Sequence, residues 1–361
     1  MKAEIIKHTV ISAKNAGKLN YNAWPSIVSV NGELLCAWSG GRHAHICPFG
    51  KVNAAKSTDG GRTWQPSYTV LDTPLDDRDA GLCAANGSII LTSFNNSRRM
   101  QRYYADEYGY KPEVRAFYEG YLNLVTDDDE KRYLGSLTAV STDGGKTFSE
   151  PNVLPITSPH GPCATADGKL LYIGRAFSDN AEASFSYLKE GIYAVKLDAR
   201  GRMLGRPAQV VPPAEEKSTL YCEPHAAALP DGRIILGIRV QNYEKDVFTI
   251  YQCYSDDGGK TFSRPQPTGF DGSPPHYLVH SSGALILTYA RRRKPFAQIA
   301  RVSRDNGKTW SEEIILRDDA PDWDLGYPCT AENADGELAT VYYQKLGTIG
   351  NDICCTVWRL K

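Results

Sequence analysis

The sequence has almost no charge excess: 41 Lys and Arg face 42 Asp and Glu, leaving a formal net charge of −1. Bulk attraction to nucleic acid or anionic lipid is thereby excluded, and any anionic ligand must be held by local charge. A CxxC pair is also missing. The nine cysteines, at 36, 47, 83, 163, 222, 253, 329, 354 and 355, are odd in number, which argues against a disulfide framework. The first residues contain no apolar run before a small-residue cleavage site, so a reducing cytoplasm is the expected compartment. A secreted or periplasmic chain already trimmed of its leader would read the same. No apolar stretch reaches membrane-spanning length. What remains, 361 residues with 41% hydrophobic and 23% charged, describes an ordinary folded protein with a sizeable core.

Repeats dominate what is there. Ser57-Thr-Asp59-Gly-Gly61-Arg-Thr-Trp64 recurs as Ser141 to Phe148, Ser255 to Phe262 and Ser303 to Trp310, all in the pattern S-x-D-x-G-x-T-[WF]. Such a segment reads as a hairpin turn: the Asp carboxylate accepts backbone N–H groups, Gly or Asn supplies positive φ, and the aromatic packs behind. Four copies cannot converge on one point, so the motif is structural. A second repeat, strand, Gly-containing turn and apolar strand, occupies 25–38, 80–94, 162–175, 224–239, 277–289 and 328–343. Six such hairpins at about 60 residues per unit predict a six-bladed β-propeller forming one domain over 1–361. The third unit carries a substitute turn at Asp198-Ala-Arg-Gly201. An open ring would expose a sheet edge, so 4–12 is expected to pair with 352–360.

One segment departs from the pattern. Residues 100–134 hold seven of the 21 tyrosines, a helix signal at Pro112 and the acidic run Thr126-Asp-Asp-Asp-Glu130. This is an insertion in the second unit, read either as a lid over a site or as a subunit contact or decorated loop.

In a propeller the innermost strand of each blade lines a central channel, and residues near its ends rim the ligand funnel. Those positions hold Asn22 and Trp24; Asp76, Asp77, Arg78 and Asp79; His160; Glu223 and His225; His276; and Tyr327. The far ends of the hairpins add Arg42, His43 and His45, then Arg98, Arg99, Arg175, Arg239 and Arg291 to Arg293. Arginines gathered at one rim suit a carboxylate ligand, because a guanidinium fork binds carboxylate bidentately. Phe49, Trp24 and Trp323 form either an apolar wall for an acyl group or inter-blade packing. The histidines His43, His45, His160, His225 and His276 raise metal binding or lyase chemistry, but no HExxH or tight ligand spacing supports a metal.

Taken with these residues, the chain resembles the sialidases (neuraminidases), six-bladed propellers with Asp-box turns. Glu223-Pro-His225 through Ile-Arg239 is similar to the sialidase segment carrying the catalytic Glu and a carboxylate-binding Arg. Asp324-Leu-Gly-Tyr327-Pro resembles the segment carrying the nucleophilic Tyr. The resemblance implies exo-hydrolysis of a terminal α-linked sialic acid with retention, no dissociable cofactor, and a sialylated glycan or other acidic sugar as partner. A sialic acid bears its carboxylate on the anomeric carbon, so a phenol deprotonated by a Glu avoids the repulsion a carboxylate nucleophile would meet. Arg239 and one of Arg291, Arg292 or Arg293 would hold that carboxylate, with Arg292 and Arg293 favoured.

Two positions depart from the sialidase pattern. The first carboxylate-binding Arg is absent from Tyr21-Asn22-Ala-Trp24-Pro25, and Asn22 cannot replace a fixed charge, so Arg78 or Arg42 is the candidate substitute. The loop 42–50 has no acid/base Asp, so Asp77, Asp79 or His45 must protonate the leaving oxygen. These changes keep open another acidic-sugar hydrolase or polysaccharide lyase on the same scaffold, or a non-catalytic acidic-glycan-binding propeller.

Overall fold

The computed structural model describes residues 3–12, 17–165, 168–177, 179, 188–347 and 350–361. Asp167, in the expected third hairpin turn, lies outside them. Six antiparallel sheets follow one another around a ring, as the repeat predicts. The first blade runs Tyr21–Val30, Glu33–Arg42, Lys51–Ser57, Tyr68–Leu71, and the second Arg78–Ala85, Ser88–Phe94, Ser136–Ser141, Asn152–Leu154. In the third, Ile156–Thr157 and Cys163–Ala164 both pair with Leu170–Ala176. The fourth, fifth and sixth begin at Leu220–Ala228, His276–Val279 and Gly326–Glu332. Ala3–Val10 adds the outer strand of the sixth blade by pairing with Asp352–Leu360, which closes the ring and covers the edge the C-terminal strand would otherwise expose.

The Asp turns form as the sequence dictates. In the first, Asp59 accepts from the Thr63 amide at 2.8 Å and the Thr63 hydroxyl at 2.6 Å, while the Gly61 amide donates to Ser57 Oγ at 2.8 Å. The other three repeat these bonds. In the third blade Asp198 accepts from the Arg200 and Arg202 amides at 2.8 and 2.9 Å, the substitute turn. All lie toward the outer strands, away from the channel.

The inner strands carry a second device. In blades one, two, four and six the register slips by one residue, between Ala23/Ser26, Arg78/Gly81, Cys222/His225 and Gly326/Cys329. The residue in the bulge is left-handed each time: Trp24 at φ 53°, Asp79 at 57°, Glu223 at 46° and Tyr327 at 52°. A non-glycine residue there costs about 1–3 kcal/mol, and such strain gathers where side chains must be aimed. The third blade uses Gly161, at φ 81°, where no side chain is presented.

The insertion contains three helices where the sequence indicated one: α1 (Arg98–Glu107), α2 (Pro112–Leu122) and α3 (Asp127–Tyr133). The acidic run opens α3, where Thr126 and Asp129 form a reciprocal capping box. Its buried contacts make it a fixed wall. The Tyr110 hydroxyl donates to Ile46 O at 3.0 Å, the Tyr121 hydroxyl to Pro74 O at 3.2 Å, and the buried Gln101 side chain to Asp76 at 2.9 Å.

Candidate active site

The bulges aim three reactive groups at one point. The Tyr327 hydroxyl donates to Glu223 Oε1 at 2.6 Å, and Arg239 Nη1 donates to Glu223 Oε2 at 2.6 Å and to the Tyr327 oxygen at 3.3 Å. Glu223 and Arg239 meet because Cys222 pairs with Arg239 across their hairpin. Burial pushes the Tyr327 phenol well above its usual range, and the Glu223 charge adds to this. Burial alone would raise Glu223 too, yet the Arg239 charge and the Tyr327 and Arg239 hydrogen bonds hold it below the ordinary carboxylate range. The resting pair is therefore a neutral phenol donating to a carboxylate.

Of the three consecutive arginines, the structure selects Arg292. Its guanidinium lies 5.3 Å from the Tyr327 ring centroid, fixed by Leu325 O and the Tyr343 hydroxyl, both at 2.7 Å. Arg291 is turned outward onto Glu313 at 2.7 Å, which removes it from the site. Arg293 pairs with Asp246 at 2.8 Å and lines a cavity of about 260 Å³ beside Arg239, Arg292 and Trp323 instead of facing Tyr327.

Asp79 is buried in its bulge, raised to about 7 by burial and then by the Glu223 charge, against lowering by Arg78 and Arg42. It is therefore about half protonated at neutrality and protonated at mildly acid pH. Asp77 does not join the site: its carboxylate accepts from the Thr73 amide at 2.7 Å and the Thr73 hydroxyl at 2.9 Å, stapling the loop, while burial lifts it to about 8. His45, with 35% of its side chain exposed, contacts the Tyr21 hydroxyl through Nδ1 at 2.7 Å and lies 3.8 Å from Asp324. Burial depresses it and keeps it neutral.

Arg42 does not replace the missing arginine. It is 0% exposed and grips Asp76 with both terminal nitrogens, because a buried guanidinium must be paired. Arg78 does reach the site, but on its Asp79 side. It lies 4.3 Å from the Trp24 ring centroid and donates to His45 O at 2.7 Å, and contacts run from Arg78 through Trp24 and Tyr327 to Arg292. Trp24 is therefore internal packing, 2% exposed, and not a substrate wall. Asn22 is spent on Trp38 Nε1 at 3.1 Å and Asn351 O at 3.1 Å.

Several rim assignments are corrected. His43 contacts the Tyr118 hydroxyl at 2.8 Å, and Phe49 packs on Phe117 at 4.8 Å and Tyr121 at 5.1 Å, so both support the insertion. His160, His225 and His276 lie deeper in the channel as a buried cluster, with ring centroids 5.7, 5.2 and 4.4 Å apart. Nδ1 of His225 accepts the Tyr277 amide at 3.0 Å and Nδ1 of His276 the Thr330 amide at 3.4 Å. Each of these two lone pairs is occupied and its Nε2 carries the proton, whereas Nε2 of His160 is buried without a hydrogen-bond partner among the described residues. Among the described residues no His, Cys, Asp or Glu group suits a metal ion. Arg98, Arg99 and Arg175 are held by Glu130, Asp179 and Glu190.

Asp324 and Asp76 stand in segments the sequence points to, but sequence reasoning assigned neither a role. Asp324 accepts from Tyr21 at 3.0 Å, Tyr343 at 3.2 Å and Asn351 at 2.9 Å; burial alone would raise it, but His45, the Asn351 hydrogen bond and the Arg292 charge hold it at about 2. It thereby orients Tyr343, which orients Arg292. Asp76 does the same for Arg42 and, at 3.4 Å, for Arg78. Proline following Trp24, Glu223 and Tyr327 was the available signal for the bulges.

Residues 109–340 match the family model described as a BNR repeat-like domain. A Dyadobacter fermentans protein of unknown function is similar over 99% of both chains, with 20% identity and a TM-score of 0.76. The intramolecular trans-sialidase from Ruminococcus gnavus aligns over 98% of this chain and 97% of its own, at 14% identity and TM-score 0.59. The Trypanosoma rangeli sialidase, solved with sialic acid, aligns over 95% of this chain and 54% of its own, at 15% identity and TM-score 0.61. No curated protein matches. At these identities the likeness of the solved structures concerns the six-bladed fold. With nearly two thirds of its length in the family match, the chain belongs to the BNR repeat-like domain family.

Proposed function

We propose that this protein is a retaining glycoside hydrolase that removes a terminal α-linked sialic acid, or a closely related nine-carbon ulosonic acid, from a glycan. The observation that carries the reading is the 2.6 Å contact between the Tyr327 hydroxyl and Glu223, flanked by Arg239. A binding protein has no need of a phenol poised on a carboxylate.

Arg292, with Arg239 beside it, receives the substrate carboxylate next to the anomeric carbon. Tyr327 attacks that carbon while its proton passes to Glu223, and Asp79 gives its proton to the departing glycosidic oxygen. Water then attacks the tyrosyl glycoside from the face the leaving group vacated. Its proton goes to Asp79, the carbon–tyrosyl bond breaks, and Glu223 returns the proton to Tyr327, so configuration is retained.

Trp24 favours a second reading. An indole fills the first blade's bulge where the sialidase-like segment would bring a cation, which suits another acidic-sugar hydrolase with a smaller carboxylate clamp. Release of sialic acid from an aryl α-sialoside, with Tyr327→Phe and Glu223→Gln beside the parent, tests the proposal. Parent turnover that collapses in both variants supports it; a folded parent without turnover transfers the case to other ulosonic and uronic glycosides.

A further inference from the structure

Several arginines drawn into this protein are held by carboxylates alone: Arg42 grips Asp76, Arg291 and Arg301 share Glu313, and Arg98 is held by Glu130. Arg239 is built differently. Its Nη1 donates to Glu223 at 2.6 Å and to the Tyr327 oxygen at 3.3 Å, while Nε, at 3.1 Å, and Nη2 both donate to Oε1 of Gln241. Four of the five guanidinium hydrogens are thereby committed, two toward the reacting pair and two toward an uncharged oxygen.

The strand pattern explains the arrangement. Residues 239 and 241 stand two apart on Ile234–Asn242 and share one face, where Gln241 pairs with Phe248 on the next strand. The Arg239 guanidinium lies 4.9 Å from the Phe248 ring centroid, which fixes it from a second side. The Gln241 amide nitrogen donates to the Tyr243 hydroxyl at 3.2 Å, and this turns the amide oxygen toward Arg239. Gln241 is buried and lines the cavity of about 260 Å³ that also holds Arg292, Arg293 and Asp246. A carboxylate at this position would offer the same acceptor and share the Arg239 charge with Glu223. An amide leaves that charge whole.

We propose that Gln241 is a positioning residue, a neutral acceptor that holds Arg239 from behind and reserves its positive charge for Glu223. The inference deepens the hydrolase reading and rests on it only for the role of Glu223 as base. The other titratable groups around Glu223 are Tyr327 and Tyr343 from the sixth blade, Arg292 from the fifth, Asp79 from the second and Cys222 beside it. His160 of the third blade stands against Tyr327, and Arg175, near Cys222, is paired with Glu190. Arg292 spends its donors on Leu325 O and Tyr343. Arg239 is therefore the cation in contact with Glu223, and its aim decides how readily Glu223 takes a proton.

Gln241→Glu keeps the acceptor and adds a charge, so it separates this role from a merely structural one. The experiment compares the pH dependence of kcat/KM on an aryl α-sialoside between parent and variant. Expected is an acid limb displaced toward neutrality by about one pH unit, because a second carboxylate shares Arg239 and makes Glu223 easier to protonate. An acid limb in the parent's position overturns the proposal. Infrared titration of the Glu223 carboxyl, assigned in each background by its loss in Glu223→Gln, gives the same comparison without turnover. A raised midpoint in Gln241→Glu supports the proposal even where the parent leaves the aryl α-sialoside uncleaved, an outcome that defeats the hydrolase reading alone. An unmoved midpoint overturns the proposal whether or not the parent is an enzyme. Gln241→Met, which releases Arg239 without adding charge, should lower kcat about tenfold and raise the same midpoint by less. It decides the matter if Gln241→Glu does not fold: an unmoved midpoint there overturns the proposal too.

Discussion

Two carboxylates of the same kind stand in repeated turns of this protein, and the turns treat them oppositely. Asp59 in an outer turn is held at about 2; what burial it has works to raise it, but the Thr63, Ser57 and Arg62 donors win. Asp79 in an inner bulge is raised to about 7 by burial and the Glu223 charge, with no hydrogen-bond donor among the causes that oppose this. The outer turn repeats its residues and its bonds in four copies, as a structural element must. The inner bulge repeats its backbone and changes its residue each time, to Trp24, Asp79, Glu223 and Tyr327. Where side chains close their hydrogen bonds locally, the repeat builds the scaffold; where the backbone alone recurs and the side chain is left facing the channel, it builds a site.

The largest expected effect separates the two kinds of turn directly. Tyr327→Phe and Glu223→Gln should each lower kcat by about 10³-fold or more with the fold intact by circular dichroism. Asp59→Ala should leave kcat within twofold. Loss of activity in Asp59→Ala at unchanged stability would break the comparison.

Asp79→Asn should reduce turnover of an unactivated glycan by roughly 10²–10⁴-fold, and that of an aryl glycoside with a good leaving group far less. In the parent, kcat/KM should fall as pH rises through about 7, where Asp79 loses its proton, and fall again at acid pH when Glu223 gains one. The same carboxyl makes a linked prediction for stability. Its folded pKa of about 7 stands above the ordinary 3.8, so the stability it lends is full below about pH 4 and is lost by about pH 7. Asp79→Asn should therefore melt higher than the parent at pH 8, by a few degrees, while being the poorer enzyme. A lower melting temperature at pH 8 would show that Asp79 is held by a compensating bond.

Arg292→Ala should raise KM by roughly 10- to 100-fold for an acidic sugar, the scale of a charge-assisted carboxylate contact. Arg291→Ala, which loses an outward ion pair on Glu313, should not. Equal KM changes in the two would reverse the choice between neighbours.

The smallest effect belongs to the scaffold. Asp59→Ala should cost about 1 kcal/mol, roughly one to two degrees in Tm, from its lost turn bonds. Because Asp59 is depressed, its contribution is present above about pH 4 and disappears as pH falls toward 2. The destabilisation measured at pH 7 should shrink on acidification.

The sequence by itself determined the local features: the Asp turns, the six hairpins, the closure of 352–360 on the N-terminal strand, and the Glu223–Arg239 pair, which one hairpin register brings together. Each is a matter of neighbours in the chain or of the simplest pairing, so pattern suffices. Only the tertiary structure decided that Arg292 faces Tyr327 while Arg291 faces Glu313, that Arg42 is consumed by Asp76, that Asp77 staples a loop while Asp79 stands beside Glu223, and that three histidines pack together as a buried cluster. Those outcomes turn on which face of its strand each side chain takes once the blades have packed, and on how much water the closed ring removes from each charge. Neither quantity exists until strands far apart in the chain have packed.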